Sequence, residues 1–287
     1  MPGPELAAFS RELEELGYFS IGFPDHYFVG GGPDFISLHE PFAAMSYVAA
    51  VTSRLRLVCI VAANDFRHPA LYARTVASID VLSDGRVEAG IGAGWFAPEF
   101  EAIGIAFDMP GTRIDRLEEA IEVIKSLWTN DRTDFSGKHY RISGASGLPK
   151  PIQRPHPPLL IVAGGPRMLA LAGRHADVVG LTSSLRNFKD RAGMLKEMIP
   201  ESIKDKIEIV RQAAAGAGRD VPILQIQVNS IEFEGDDPGH MWALTGDPAR
   251  LIDILHERRE MGISYFMLRE RRRERLREFG EKVVSKL

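Results

Sequence analysis

Cysteine is nearly absent. Cys59 is the only one in 287 residues, so no intrachain disulfide can form and no paired-thiol metal or redox motif is available. That fits a reducing, cytoplasmic compartment. Long apolar runs are missing as well. Nothing approaches the roughly 20 residues that cross a bilayer, and no basic segment followed by an apolar stretch opens the chain, so neither a membrane span nor a signal peptide is expected. Neither sign of charge dominates: 35 basic residues face 39 acidic ones, for a net charge of −4. The one basic concentration, Arg269–Arg277, is interleaved with Glu270 and Glu274 and reads as a solvated helix face rather than a nucleic-acid surface. His-Glu-x-x-His, a Gly-Lys-Ser phosphate loop and a Gly-x-Ser-x-Gly elbow do not occur, which removes weight from metal hydrolysis and serine chemistry.

What is present is an alternation of helical and strand patterns. Glu5–Leu16 reads as a helix with Leu6, Phe9, Leu13 and Leu16 on one face and Gly17 just past its end. Tyr18–Pro24 is a short buried strand. Pro41–Thr52 is helical, and Leu55–Ala63 is a nearly continuous apolar run of the kind found in parallel strands covered on both faces. Pro69–Leu82 (helix) and Arg86–Gly92 (strand) follow. Thr112–Trp128 is a helix with Thr112 and Asp115 as a capping-box variant. Leu159–Ala163, Asp177–Leu181, Val221–Ile231 and Ile263–Leu268 read as strands. Pro166–Arg174, Lys204–Ala214 and Asp247–Glu260 read as helices, the last capped by Asp247 with Pro248 at its first position. A terminal helix closes the chain. Phe135–Ile142 reads as a small strand pair turning at Gly137–Lys138.

Such alternation implies parallel βαβ units in a single domain over residues 1–287. A dinucleotide-binding sheet would need Gly-x-Gly-x-x-Gly running into a helix. Here Gly90, Gly92 and Gly94 are spaced Gly-x-Gly-x-Gly, which favours a TIM-type (β/α)8 barrel. Seven strands are counted rather than eight.

Four motifs follow predicted strands, at the end where barrel enzymes keep their chemistry. Asp25-His26 offers an imidazole for proton transfer, or a turn Asp with a partly exposed His. Asn64-Asp65-Phe66-Arg67-His68-Pro69 crowds polar groups after an apolar strand, or caps the next helix. Gly90–Trp95 permits close approach of another group and offers Trp95 for stacking on a planar ring, or makes a tight corner around a core Trp. Ala163-Gly164-Gly165-Pro166 leads into a helix whose free N–H groups suit a phosphate, or is a plain strand-to-helix turn.

In this order, together with Phe23-Pro24 and Asp80-Val81-Leu82-Ser83-Asp84-Gly85-Arg86, these motifs resemble the luciferase-like monooxygenase superfamily, and most of all its deazaflavin-dependent branch. The resemblance covers about Glu5 to Leu268. It implies a (β/α)8 barrel holding an isoalloxazine-type ring, with coenzyme F420 expected and FMN the alternative. It implies a cis peptide at Ile60–Val61, with Asp25, Asn64 and Trp95 beside the ring and His26 as the catalytic residue. Ala163, Gly164 and Gly165 would receive the coenzyme's phosphate, with Arg67 and Arg167 as candidates for a further anionic group. Trp95 stands where the sugar-phosphate dehydrogenases of this branch carry a catalytic Glu, and no equivalents of that branch's substrate-phosphate lysines are evident, so a sugar phosphate is not the expected substrate. The implied activity is hydride transfer between F420 and a small organic molecule by a homodimer. An FMN monooxygenase supplied by a partner reductase and a non-catalytic flavin binder are the alternatives. The family opens with a strand before its first helix. Only Met1–Pro4 precede the helix here, so a barrel lacking its first strand in this chain is expected. Substrate contacts are expected from Phe28–Ser37, Ser183–Pro200 and Phe233–Leu244.

Overall fold

A computed structural model describes residues 1–28, 38–185 and 190–287. In chain order the elements are α1 (Gly3–Glu15), β1 (Ser20–Phe23), α2 (Pro41–Val51), β2 (Arg56–Cys59), β3 (Ala62–Ala63), α3 (Pro69–Leu82), β4 (Val87–Gly92), α4 (Ala97–Ala102), α5 (Pro110–Thr129), β5 (Thr133–Ser136), β6 (Arg141–Ala145), β7 (Leu159–Ala163), α6 (Pro166–His175), β8 (Val178–Leu181), α7 (Arg191–Lys196), α8 (Pro200–Gly216), β9 (Ile223–Val228), β10 (Ser230–Glu232), β11 (Ala243–Thr245), α9 (Pro248–Glu260), β12 (Ile263–Leu268) and α10 (Arg273–Lys282). The main strand order is β1-β2-β4-β7-β8-β9-β12, with β3 on β4. β2 and β3 are two pieces of the apolar run expected as one strand, so the order holds the seven positions counted in the sequence. No strand precedes α1 among the described residues.

Contacts divide the chain into two units. The first holds Met1–Arg11 and Phe19–Leu160, the second Glu12–Tyr18 and Ile161–Leu287. In the first unit β1, β2 and β4 pair in parallel, Ile21 opposite Leu57 and Leu57 opposite Val87. α5 buries Leu117, Ala120, Ile121, Ile124 and Leu127, the period-3.6 stripe of a helix laid on a sheet. It begins at Pro110 rather than Thr112, because Pro at a first helical position needs no N–H partner. Thr112 therefore caps nothing. The Asp80–Arg86 motif is architectural and leads into β4. Asp80 is fully buried and accepts the backbone N–H groups of Ile152 and Gln153 at 2.7 and 3.1 Å. The Arg86 guanidinium donates to the carbonyls of Ala49, Leu55 and Ser83. β5 and β6 form the expected antiparallel pair.

In the second unit β8 pairs in parallel with β9, and β9 with β12. The run expected as one strand from Val221 to Ile231 breaks after Val228, where Asn229 donates its N–H to the Trp242 carbonyl at 2.7 Å. The chain then pairs in parallel with β11 as β10. A local core of Val228, Ile231, Leu244, Leu251, Ile254, Leu255, Phe279 and Val283 forms beneath, with Phe233 packed on it. Phe233, at the start of one expected substrate segment, thus packs on this core with part of its surface exposed. α9 is capped as expected: Asp247 accepts from the Arg250 N–H at 2.9 Å. The elements not foreseen are α4, α7 and β11, each six residues or fewer.

Candidate active site

Three of the four motifs lie in the first unit. β1, β3 and β4 belong to one parallel set there, so the segments that follow them leave by the same edge. The Ile60–Val61 peptide is cis. It makes a bulge between β2 and β3, and three glycines make room for it. A Cβ at Gly90 would stand 1.8 Å from the Cys59 carbonyl oxygen, one at Gly92 2.9 Å from Val61, and one at Gly22 2.8 Å from Ile60. The close approach that Gly90 and Gly92 allow is thus that of the chain's own bulge.

Asp25 is buried. Its carboxylate accepts from both terminal guanidinium nitrogens of Arg67, Nη2 at 3.0 Å, and from the Ala63 N–H at 3.1 Å, which ties the segment after β1 to β3. Arg67 also reaches Glu40 at 2.8 Å and lies over the Phe42 ring. Burial alone would lower the Arg67 guanidinium, but Asp25 outweighs it and raises the value. Arg67 is therefore committed, against the expectation that it meets a coenzyme anion.

His26 has a partner the sequence did not reveal. Its Nδ1 lies 3.0 and 3.2 Å from the two carboxylate oxygens of Glu99. Glu99 is 1% exposed and also accepts the Tyr27 N–H at 2.9 Å. A carboxylate only accepts, so Nδ1 carries the proton and, in the neutral ring, Nε2 keeps its lone pair. Trp95 meets the His26 ring edge-on at 5.7 Å between centroids. The aromatic contact continues through Phe96 to Phe28 and Tyr27. Glu99 sits in α4, an element too short to leave a periodic signal. A lone acid inside Trp-Phe-Ala-Pro-Glu-Phe was the cue available.

Asn64 is also buried. Its Nδ2 donates to the Tyr140 hydroxyl at 3.0 Å and to Asp65 at 3.1 Å, while its Oδ1 is buried with no partner. An unsatisfied buried acceptor costs about 1–3 kcal/mol, and the N–H edge of a bound ring would satisfy it. Tyr140 comes from the long connection after α5. Glu119 fixes that stretch by accepting the N–H groups of Lys138, His139 and Tyr140 at 2.8, 2.8 and 3.1 Å. Arg113 and Arg116 are committed as well, Arg113 to the Ala93 and Asp108 carbonyls and Arg116 to Asp65 and Asp108.

The fourth motif is in the second unit. Ala163 ends β7 and accepts the Thr182 N–H at 3.1 Å. Gly164 is required by packing, since a Cβ there would stand 2.1 Å from the Ser183 carbonyl oxygen. Gly165 precedes α6 and has nothing nearer than the Ser184 hydroxyl at 3.9 Å. Lys206, on α8, is buried and donates to the Gly164 carbonyl at 2.7 Å and to Glu197 at 3.0 Å. Arg167 is exposed on the first turn of α6. Of the expected substrate segments, residues 29–37 and 186–189 lie outside the described residues. His240 and Trp242 each bury a polar atom, Nδ1 and Nε1, without a partner.

The luciferase-like monooxygenase family profile matches residues 2–278, and the chain belongs to that family. It is 36% identical to the F420-dependent glucose-6-phosphate dehydrogenase of Nocardia farcinica over 82% of this chain and 66% of that one. To the enzyme of the same name from Kineococcus radiotolerans it is 36% identical over 61% and 51% of the two chains. To the FMNH2-dependent dimethylsulfone monooxygenase of Pseudomonas putida it is 31% identical over 64% and 47%. The chain thus spans about half to two thirds of the length of these relatives. In fold it superposes on an F420-dependent secondary alcohol dehydrogenase with a TM-score of 0.82, covering 99% of this chain and 95% of the other at 19% identity. The fold is α/β, of the TIM-type (β/α) barrel class.

Proposed function

We propose that this protein is an F420-dependent oxidoreductase that transfers hydride between the deazaflavin and a small organic substrate. The observation that carries this reading is the His26–Glu99 pair beside the Ile60–Val61 bulge: a partly exposed imidazole whose proton is held on Nδ1 by a buried carboxylate. When bound, the coenzyme accepts or donates hydride at its C5. The residues present fit such a group. The orphaned Asn64 Oδ1 suits a ring N–H, Trp95 offers an aromatic face near the imidazole, and Gly165 leaves open space before α6 for a phosphate. Ile60, Val61 and Asn64 would hold the ring, with Asp25 acting through Arg67 and Ala63 to brace them. Ala163, Gly164 and Gly165 would hold the phosphate.

His26 Nε2 takes the hydroxyl proton of an alcohol substrate, or returns a proton to a carbonyl oxygen in the reverse direction. Glu99 stabilises the imidazolium formed and keeps the ring aimed. The wall of Trp95, Phe96, Phe28 and Tyr27 favours an apolar or aromatic substrate. Arg67, Arg113 and Arg116 are committed elsewhere, which argues against a sugar phosphate at the ring. The similarity to an FMNH2-dependent monooxygenase supports a second reading, in which reduced FMN activates oxygen. The two separate in one experiment. Oxidised F420 with a panel of small alcohols should be reduced without oxygen, and reduced FMN should consume oxygen no faster with the protein and panel than alone. Substrate-dependent oxygen uptake with FMN and no F420 reduction would reverse the assignment.

A further inference from the structure

The second unit carries an open, solvent-facing pocket of about 380 Å³ lined by Gly164, Pro166, Ser184, Glu197 and Lys206, among others. Two strong hydrogen-bond donors meet in it, and both point at one atom. The Ser184 backbone N–H donates to Glu197 Oε2 at 2.6 Å, and the Lys206 ammonium donates to the same oxygen at 3.0 Å. An ammonium and a peptide N–H converging on one oxygen form the kind of charge-assisted pocket that binds a phosphoryl oxygen. Here a carboxylate of the same chain fills it.

The two charges differ in freedom. The Lys206 side chain is 9% exposed, while that of Glu197 is 38% exposed. Lys206 is further held by the Gly164 carbonyl. Glu197 follows the six-residue helix α7 and has solvent on one side, so it can swing into water, provided another anion takes its place on the buried ammonium. The ammonium cannot leave. The second carboxylate of the lining, Asp205, is exposed and screened by solvent.

We infer that Glu197 is a built-in occupant of a phosphate-binding slot formed by Lys206 Nζ and the Ser184 N–H, and that a phosphate group displaces it on binding. The inference rests on the coenzyme reading above and deepens it: the slot, rather than the Gly164-Gly165 turn alone, holds the phosphate of F420 or FMN. A phosphate beside Glu197 would meet a like charge, so binding requires the carboxylate to swing out, and that requirement weakens affinity. Ligands lacking the phosphate escape both the attraction and the penalty.

Calorimetric titration of the full chain tests this with two matched pairs: F420 against its phosphate-free deazariboflavin core, and FMN against riboflavin. In wild type, the phosphorylated member of the better-binding pair is expected to bind more tightly. Glu197→Gln, which keeps the shape and removes the charge, is expected to tighten phosphorylated ligands about tenfold, equivalent to about 1.4 kcal/mol, and to leave their phosphate-free partners within twofold. Lys206→Met is expected to erase the difference between partners, with thermal melts establishing that both variants are folded. If Lys206→Met does not fold, Lys206→Gln replaces it. Inorganic phosphate is the third arm. Competition with FMN or F420 but not with the phosphate-free rings places the coenzyme phosphate in the slot. Phosphate binding without such competition assigns the slot to another phosphate-bearing molecule and overturns the coenzyme assignment. Equal tightening of both partners by Glu197→Gln, or none, overturns the displacement. Failure of every ring ligand to bind wild type overturns the coenzyme reading itself, whatever the variants do.

Discussion

At the scale of single residues, the chemistry rests on one hydrogen bond. Glu99 presents acceptors to His26 Nδ1 and, in the proposed mechanism, would leave Nε2 as the ring nitrogen that meets a substrate. Glu99→Gln retains the shape but can offer an amide N–H instead, which favours the opposite tautomer. Turnover should fall about a hundredfold, within the range general acid–base groups contribute, with coenzyme affinity within threefold of wild type. Steady-state rates beside a binding titration check this. Unchanged kcat would remove Glu99 from the mechanism. A second contrast concerns glycines that look alike in sequence. Gly90→Ala drives a methyl into the Cys59 carbonyl oxygen and should cost about 4 kcal/mol or prevent folding. Gly165→Ala meets open space and should shift the melting midpoint by no more than a few degrees, equivalent to about 1 kcal/mol. Thermal melts of the two purified variants decide it. Pro24-Asp25-His26 was legible because polar groups stood directly after an apolar strand. Their partners were not. Glu99 and Glu40 are 73 and 27 residues from the groups they bind, and pairing at that range depends on which strands lie together.

At the scale of elements, the alternation of apolar runs reports strand order well because every parallel strand must be covered on both faces. It fails where hydrogen bonding rather than apolarity ends an element. The run Leu55–Ala63 stays apolar through the bulge, so that interruption does not show in composition, whereas the break in Val221–Ile231 falls on the polar pair Asn229-Ser230, which two short strands can also carry on an exposed face. The short elements α4, α7 and β11 lack the length to show a period. The β5–β6 pair was legible from its turn residues, but its role was not. Glu119 clamps the residues between these strands, and they carry Tyr140 to Asn64. Burial works against the Glu119 charge, but the three backbone N–H groups outweigh it and hold the carboxyl below its ordinary value of 4.5. A carboxylate depressed on folding contributes stability that is complete above its ordinary value and lost as pH falls through the lowered one. Glu119→Gln should therefore be less stable than wild type at neutral pH, and the gap should narrow as pH drops below about 4.5. Melting midpoints from pH 7 to pH 3 measure it, and a constant gap would deny the charge any part in the clamp.

At the scale of the whole molecule, the family and the barrel class were legible because motifs at the ends of several strands occur in a fixed order. The choice of coenzyme is the central claim. FMN and F420 share a ring shape, so ring contacts discriminate little between them, and the longer anionic tail of F420 supplies the difference. Ligand that binds only the folded state stabilises it by RT ln(1 + [L]/Kd), about 2.7 kcal/mol at a hundredfold excess over Kd. A melt with each coenzyme at one fixed concentration should therefore rise more with F420 than with FMN. The most direct measurement is a calorimetric titration of the purified chain with oxidised F420 and with FMN, under the same buffer and salt. A smaller Kd is expected for F420, and FMN binding at least as tightly as F420 would overturn the choice of coenzyme.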